Sequence, residues 1–423
     1  MTPLLRLLLQ IAVILITARV VGMAFRRIGQ PQVVGEMVAG IMLGPSLLGA
    51  LWPAGSAVLF PPTGLDALNA LSQIGLLLFM FLVGLEFDPA RLKGRGDAAV
   101  LTSHASILAP FLFGTVLALW TYPRFSDAGV PFTGFALFSG AAMSVTAFPV
   151  LARILTERDL QRTRIGAMAI ACAAVDDVSA WSLLAIVVIV VRASAAPVPL
   201  WVTVGGAVCF LAIMIFAVRP ALRLLDAAFI RRGRVTQDII AVIAFALLLS
   251  AWTTEWLGIH ALFGAFALGA VMPKNPEFVD AIRDRLEDVT VVVFLPLFFA
   301  FTGLRTQMGL LHGAAAWTAF GWILAAAVGG KLGASAVASR LTGLTWRESL
   351  AVGTLMNTRG LMELVILGIG LDLGAISPEL FAMMVLMAIV TTFMSNPLLA
   401  VLVPKKRAET PAVAVVGGEG AVG

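Results

Sequence analysis

Charged side chains are scarce in this chain. Asp, Glu, Lys and Arg together make up 13% of its 423 residues, hydrophobic residues make up 60%, and the mean hydropathy is +0.99. Soluble globular domains contain about 25% charged residues. The composition therefore excludes an ordinary soluble domain and indicates a membrane protein.

Cysteine and histidine are rarer still. The two cysteines, Cys172 and Cys209, both lie in apolar stretches, and the chain has three histidines. This usage excludes a disulfide framework, and no Cys/His spacing is typical of a metal site. No nucleotide-binding motif is present either. We therefore expect no cofactor and no enzymatic activity.

Long apolar runs are abundant, and they predict an all-α polytopic membrane protein. A helix needs about 20 mostly apolar residues to cross a bilayer, and we predict thirteen such spans. The predicted spans are residues 4–24, 32–51, 67–87, 97–120, 132–154, 164–191, 199–218, 235–254, 257–272, 288–306, 313–339, 348–371 and 378–403.

The basic residues predict the orientation in the membrane. Most of the 29 Lys and Arg residues lie in alternate loops, including Arg26, Arg27, Arg91, Lys93, Arg95, Arg153, Arg158, Arg162, Arg164, Lys405, Lys406 and Arg407. By the positive-inside rule, the N-terminus is outside and the C-terminus is in the cytoplasm. The sequence pI of 9.8 is thus a topology signal, and we expect no nucleic-acid partner.

An internal repeat underlies the spans. VVGEMVAGIMLGP at 33–45 resembles LFGAFALGAVMP at 262–273, FMFLVGLEFD at 79–88 resembles FFAFTGLRTQ at 298–307, and GAAMSVT at 140–146 more weakly resembles GTLMNTR at 353–359. The offset is seven spans, an odd number, so the two repeats have inverted topology. This architecture is typical of secondary transporters, which bind their substrate near the midplane between the repeats.

Helix-breaking residues lie at repeat-related positions in spans five and twelve. Span five contains Ser144, Thr146 and Pro149, and span twelve contains the sequence NTRG at 357–360. Unwound backbone at membrane depth is tolerated only where it is buried in protein or lines a cavity. We interpret both breaks as parts of a binding site. The alternative is a pair of simple kinks, since Pro and Gly are common in membrane helices.

Two adjacent carboxylates, Asp176 and Asp177, lie within the sixth predicted span. A charge at bilayer depth costs about 2.5–3.5 kcal/mol or more, and such groups usually mark an ion path. The alternative is a buried structural pair. Lys331 lies deep in the eleventh span, between Gly330 and Gly333. A buried lysine needs an anion, and the aspartate pair is the obvious partner.

Four further polar residues are candidates. Arg359 and Glu363 are four residues apart, hence on one helix face, and we expect them to neutralise the ends of half-helices as a structural pair. Glu36, in the second span, is either a cytoplasmic funnel residue or a buried hydrogen-bonded acid. Asn357, at the second break, is a possible supporting residue.

Six motifs carry a resemblance to a known family. They are GQPQVVGEMVAGIMLGPSLLG (29–49), LSQIGLLLFMFLVGLEFD (71–88), SVTAFPVLARIL, AAVDDVSAW, GIHALFGAFALGAVMP and MNTRGLMELVILGIGLDLG. Over about residues 5–403 the chain resembles the monovalent cation:proton antiporter-2 family. The resemblance implies a sodium/proton antiporter fold of thirteen helices in two inverted repeats with two broken, crossing helices, usually as a homodimer in the lipid bilayer.

The resemblance also implies a division of the transmembrane domain, residues 1–403. A core transport part, about 97–191 and 313–403, would move in elevator fashion against a dimerisation part, about 4–87 and 235–306. The helix at 199–218 would link them. The tail at 404–423 is expected to be disordered, and we expect no nucleotide-binding regulatory domain in this chain.

Residue roles follow from the same resemblance. Asp177 matches the cation-binding aspartate, the metal ligand for Na⁺ or K⁺, and Asp176 matches the aspartate that pairs with a lysine. Lys331 matches that lysine. Thr146, with Ser144, matches the unwound segment beside the ion.

The expected function is exchange of a monovalent cation for protons, with both competing for Asp177. Na⁺ is favoured because the Asp-Asp-Lys set accompanies sodium exchange in relatives, and Li⁺ and K⁺ are the other candidate ions. One alternative is a K⁺/H⁺ antiporter of the potassium-efflux type, which the rest of the sequence resembles. A less favoured alternative is a sodium-coupled symporter of an organic solute. The expected location is a bacterial plasma membrane.

Overall fold

A computed structural model describes residues 2–61, 64–86, 97–126, 129–161, 163–193 and 200–403. The tail from 404 and the basic residues Arg91, Lys93 and Arg95 lie outside the described residues, as does the side chain of Asp177. Our expectations for these groups stay predictions.

Every regular element within the described ranges is a helix. The first half of the chain contains α1 (Pro3–Arg27), α2 (Gln32–Leu43), α3 (Leu48–Leu51), α4 (Pro53–Leu59), α5 (Asp66–Glu86), α6 (Asp97–Phe125), α7 (Phe132–Ser144), α8 (Phe148–Glu157), α9 (Arg164–Ala193) and α10 (Leu200–Ile213). The second half contains α11 (Arg219–Arg232), α12 (Gln237–Trp256), α13 (Ala261–Val271), α14 (Pro276–Val289), α15 (Leu295–Arg305), α16 (Gly313–Val328), α17 (Ala334–Leu341), α18 (Trp346–Met356), α19 (Leu361–Asp372) and α20 (Pro378–Leu402).

Three long spans continue through a π-helical turn. The turns Met214–Val218, Thr290–Phe294 and Gly329–Gly333 join α10 to α11, α14 to α15 and α16 to α17. A π-helical turn inserts one extra residue into a helix and often marks a functional position. The third turn contains Lys331.

The described helices reproduce most of the predicted spans. Ten are long and apolar enough to cross a membrane, and the bent pair α18–α19 makes eleven. Of the two remaining predicted spans, 164–191 lies within the 30-residue helix α9. The ninth, 257–272, contains the 11-residue helix α13, which is shorter than a bilayer crossing requires.

The segment before the tenth predicted span differs from our expectation. We treated its charged residues as a loop, but residues 276–289 form α14 and continue into the span. The Asn275 side chain accepts a hydrogen bond from the Glu277 N–H at 3.2 Å, and Pro276 occupies the first helical turn. A capped start of this kind stabilises a helix whatever its hydropathy.

Two helix contacts display the inverted repeat. Gly40 of α2 packs on Gly303 of α15 so closely that a Cβ atom on Gly303 would lie 2.0 Å from the carbonyl carbon of Gly40. In the other half, a Cβ atom on Gly269 of α13 would lie 2.9 Å from the carbonyl carbon of Gly84 in α5. The repeat aligns Gly40 with Gly269 and Gly303 with Gly84, so one contact is the counterpart of the other.

Both predicted helix breaks are present. The first separates α7 from α8 at residues 145–147, and the second separates α18 from α19 at residues 357–360 with a bend of 44°. Pro149 starts α8 within its first turn, where its missing N–H costs no hydrogen bond, and does not kink a continuous helix. The breaks meet, because the Ala147 N–H donates to the Thr358 carbonyl at 3.0 Å.

Candidate ion-binding site

Asp176 lies on α9, beside the first helix break, with no exposure to solvent. Three hydroxyl groups donate to its carboxylate. The Ser103 hydroxyl is 2.6 Å from Oδ1, the Ser106 hydroxyl is 2.9 Å from Oδ1 and 2.8 Å from Oδ2, and the Thr146 hydroxyl is 2.8 Å from Oδ2. Ser103 and Ser106 come from α6, whereas Thr146 comes from the break itself.

Lys331 is the fourth partner of Asp176, and it is also fully buried. Its ammonium Nζ is 3.0 Å from Oδ2 of Asp176, and it donates as well to the carbonyls of Ser106, at 3.1 Å, and Ser144. All three ammonium protons thus have an acceptor, which offsets much of the cost of burying the charge.

The backbone around Lys331 explains how a lysine fits at this depth. The π-helical turn Gly329–Gly333 lies against α6, and a Cβ atom on Gly330 would lie 2.8 Å from Cα of Pro110. Only glycine permits this approach, which brings the lysine stem close to Ser106. Gly330, directly before Lys331, therefore lets the backbone of α6 approach closely.

Four donor groups surround the Asp176 carboxylate. An ionised carboxylate has about four lone-pair sites, and Asp176 receives three hydroxyl groups and one ammonium. A cation that bound this carboxylate would compete with these donors for its lone pairs. Asp177 follows it directly in α9, but its side chain lies outside the described part of the chain, so its role as cation ligand stays a prediction.

The first break supplies polar groups from both its side chains and its backbone. Besides Asp176, the Thr146 hydroxyl contacts the Met356 carbonyl at 3.1 Å, at the end of α18. The Ser144 hydroxyl lies 3.0 Å from the Ile107 carbonyl and 2.8 Å from the Gly140 carbonyl. It is thus committed to backbone carbonyls, whereas its own carbonyl accepts from Lys331.

Arg359 and Glu363 lie at the ends of half-helices. Nη1 and Nη2 of Arg359 donate to the carbonyls of Ala142 and Met143, at 3.2 and 2.7 Å, which are the last turn of α7. The Glu363 carboxylate lies in the first turn of α19, and its Oε1 is 3.0 Å from Nη1 of Arg359. The cation thus faces a negative helix end and the anion a positive one.

The two supporting candidates are both buried. Glu36 is 6% exposed and accepts a hydrogen bond from the Gln32 amide at 2.9 Å, which corresponds to a buried hydrogen-bonded acid, the second of our two alternatives. Asn357 has no exposed surface, and its Nδ2 is 3.9 Å from the Met394 sulfur. The structure brings neither residue into contact with Asp176.

Sequence reasoning missed Ser103 and Ser106. They are three residues apart on α6 and both face Asp176, but hydroxyl residues are common in membrane helices and often bond to their own backbone. Their one distinguishing signal was a cluster of polar residues near the start of an otherwise apolar span: Thr102, Ser103, His104 and Ser106. Among the described residues, no group of three or more His, Cys, Asp or Glu side chains could hold a metal ion.

The fold and site are those of a secondary transporter. They combine two inverted repeats, two broken helices that meet at their breaks, and a buried aspartate–lysine pair beside them. The chain belongs to the sodium/hydrogen exchanger family, since the family model "Sodium/hydrogen exchanger, transmembrane" matches residues 12–403. It is therefore a membrane-embedded cation/proton antiporter and not an enzyme.

Several named relatives are similar to it. The chain is 43% identical over 406 residues to the Na(+)/H(+) antiporter NhaS4 of Synechocystis sp., covering 95% of this chain and 98% of that protein. It is 41% identical over 404 residues to Cation/H(+) antiporter 17 of Arabidopsis thaliana, covering 95% of this chain and 49% of the relative. It is 33% identical over 425 residues to K(+)/H(+) antiporter 1 of Saccharomyces cerevisiae, covering 97% and 49%. The chain thus spans about half the length of these plant and yeast relatives.

A solved structure shares the fold. The sodium proton antiporter MjNhaP1 from Methanocaldococcus jannaschii matches with a TM-score of 0.64 over 94% of this chain and 97% of that one, at 15% sequence identity. The sequence prediction of a sodium/proton antiporter fold is confirmed.

Proposed function

We propose that this protein exchanges Na⁺ for protons across a bacterial inner membrane, with Asp177 as the carboxylate that binds both ions in turn. The N-terminus is outside and the C-terminus is in the cytoplasm. The protein works as a homodimer, and the core transport part moves in elevator fashion against the dimerisation part.

The observation that carries this proposal is the full set of donors around Asp176. Three hydroxyl groups and Lys331 occupy its acceptor sites. Asp176 therefore serves as the anchor of the lysine, and the neighbouring carboxylate, Asp177, is left for the transported cation. In this proposal the two adjacent acids have different tasks, Asp176 holding the lysine and Asp177 binding the transported ions.

Coupling follows from competition for one carboxylate. A proton or a cation neutralises Asp177, whereas the bare carboxylate is costly to carry through the apolar interface between the two parts. The core crosses readily with Asp177 protonated or loaded and poorly with it bare. This rule alone produces exchange of one ion for the other. A second proton could be carried by Lys331, if cation binding breaks its contact with Asp176.

The hydrogen bonds of the site support a rigid moving core. Lys331 of the π-helical turn, Ser106 of α6, Asp176 of α9 and Thr146 of the first break all belong to the proposed core transport part, 97–191 and 313–403. Arg359 ties the second break to α7 within the same part. A bundle joined in this way would carry the site across the membrane as one body.

The second candidate function is K⁺/H⁺ antiport. The relatives include both a Na⁺/H⁺ antiporter at 43% identity and a K⁺/H⁺ antiporter at 33% identity. We favour Na⁺ because of the Asp-Asp-Lys set and the greater similarity to the former.

The test is the dissipation of an imposed pH gradient in proteoliposomes by Na⁺, Li⁺ and K⁺ in turn. We expect Na⁺ and Li⁺ to dissipate the gradient and K⁺ to have little effect. A response to K⁺ alone would replace our proposal with K⁺/H⁺ antiport. No response to any of the three ions, with well-folded protein, would contradict cation/proton exchange.

A further inference from the structure

An ion pair joins the two proposed parts at one end of the molecule. Nη2 of Arg305, at the end of α15, is 2.6 Å from Oδ1 of Asp372, at the end of α19. The two side chains are 26% and 50% exposed. Because α15 belongs to the dimerisation part and α19 to the core transport part, this contact connects the two bodies that an elevator would move apart.

The ion pair borders a cleft between the same two parts. On one side the cleft is lined by Thr302, and on the other by Val365, Gly368 and Ile369. Arg305 and Asp372 are themselves lining residues. The cleft thus lies between α15 of the dimerisation part and α19 of the core transport part, and the charged pair is part of its wall.

Two hydrogen bonds between the two parts at the opposite end join uncharged groups. The Gln30 amide donates to the Phe393 carbonyl at 3.2 Å, and the Asn396 amide donates to the Gly29 carbonyl at 2.6 Å. Sliding of the core would break contacts at both ends, and the contact between Arg305 and Asp372 is a direct ion pair with 2.6 Å between its charged atoms.

The internal repeat shows that the arginine is specific to one end. In the alignment of 79–88 with 298–307, the position of Arg305 is occupied in the first repeat by Glu86. Glu86 lies 3.9 Å from Arg283, within the dimerisation part. The duplicated scaffold thus carries opposite charges at equivalent positions, and the pair with Asp372 is not a general consequence of the fold.

We propose that Arg305 and Asp372 form a latch that closes the cleft at this end, which our topology makes the external one. The latch is engaged in the conformation described here and opens when the core transport part moves. It favours conformations in which the ion-binding site is shielded from the outside. It therefore sets how often external ions can reach that site. This inference rests on the proposed elevator movement.

The latch is weak because its two side chains are partly exposed to water. A partly exposed ion pair is screened by water and salt, and its loss shifts a two-state equilibrium by about two- to fivefold. Such a contact biases the two conformations without trapping the transporter in either of them.

The experiment measures exposure of the cleft directly. Val365 lines the cleft and is 3% exposed, so Val365→Cys reports opening through its labelling by a membrane-impermeant thiol reagent. The background is Cys209→Ser, because Cys209 is exposed, whereas Cys172 is buried and is kept. We expect Arg305→Ala and the nearly isosteric Asp372→Asn each to raise the labelling rate about two- to fivefold.

Two controls make the result specific. The charge swap, Arg305→Asp with Asp372→Arg, should return labelling to the original rate. Arg124→Ala removes an exposed arginine at the end of α6, at the same predicted end of the molecule, and should leave the rate unchanged. The latch is wrong if neither single variant raises labelling, if Arg124→Ala raises it equally, or if the swap fails to restore it.

The same proteoliposomes separate the two proposals. If the original protein exchanges no ions, the proposed function fails, but the labelling rates still decide whether Arg305 and Asp372 hold the cleft shut. If exchange is intact and labelling does not respond, only the latch is contradicted.

Discussion

Lys331 and Asp176 form an ion pair that solvent does not reach. Their charged atoms are 3.0 Å apart, and both side chains have 0% exposure. The two residues are 155 positions apart in the sequence. The pair forms because a π-helical turn brings Lys331 to the first break, beside Asp176. This arrangement underlies our division of tasks between the two aspartates.

Removal of the lysine should destabilise the protein and change its coupling. In Lys331→Ala, Asp176 loses its counter-charge but keeps its hydroxyl partners, so we expect a loss of about 3 kcal/mol or somewhat less in the free energy of unfolding. The pH dependence and electrogenicity of exchange should also change. Thermal unfolding in detergent and voltage-dependent transport in proteoliposomes measure the two effects. An unchanged pH profile in active protein would argue against a role of the lysine in coupling.

The two serines of α6 should contribute unequally. The Ser103 hydroxyl donates to Oδ1 of Asp176 at 2.6 Å, whereas the single proton of the Ser106 hydroxyl is shared among both carboxylate oxygens and the Ser103 carbonyl, at 2.8–2.9 Å. Hydrogen bonds to a charged group are worth about 1.5–3 kcal/mol each. We expect Ser103→Ala to lower the unfolding temperature more than Ser106→Ala does. Thr115→Ala is the matched control, since its hydroxyl bonds only to the Phe111 carbonyl on the same helix. Equal effects of all three substitutions would contradict this ranking.

Arg359 should be needed for the stability of the first break. Its guanidinium donates to two carbonyls at the end of α7 and is paired with Glu363, and all these groups are buried. We expect Arg359→Ala to cost about 3–5 kcal/mol, because it leaves both the carbonyls and the carboxylate without their partner. The double variant Arg359→Ala with Glu363→Ala should recover part of this loss. A double-mutant cycle of unfolding free energies tests the pair, and strictly additive losses would show that the two residues do not interact.

The close contact of α2 with α15 should not tolerate a methyl group. A Cβ atom on Gly303 would lie 2.0 Å from the backbone of Gly40, and backbone cannot move aside as a side chain can. We expect Gly303→Ala to lower the unfolding temperature strongly or to prevent α2 and α15 from packing together. Gly321→Ala, at a helical glycine of α16 with open space around it, is the control and should be neutral or slightly stabilising. Similar behaviour of the two variants would mean that the helices are not packed as described.

Much of the site could be predicted because burial constrains charged groups strongly. A lysine deep in a span needs an anion, and the two adjacent aspartates within another span were the obvious acidic partners. Pro149 and the NTRG segment marked the two breaks for the same reason, since unwound backbone in a membrane must lie where protein can satisfy it.

Other features depend on information that local sequence does not contain. The hydroxyls of Ser103 and Ser106 face Asp176 because of the rotation of α6 about its axis, which packing against other helices determines. The short helix α13 and the helical segment α14 also differ from the predicted spans. Hydropathy averages over a window, whereas a glycine-mediated contact or an Asn275 cap decides where a helix starts and ends.

The central claim is that one carboxylate, Asp177, carries both the cation and the proton. The most direct measurement is simultaneous Na⁺ uptake and proton release in proteoliposomes containing Asp177→Asn. The original protein is the reference, and Glu157→Gln is the control because Glu157 is an exposed acid at the end of α8 that pairs with Arg153. We predict that Asp177→Asn abolishes both fluxes together, while Glu157→Gln retains them. Persistence of either flux at the original rate in Asp177→Asn would contradict the account.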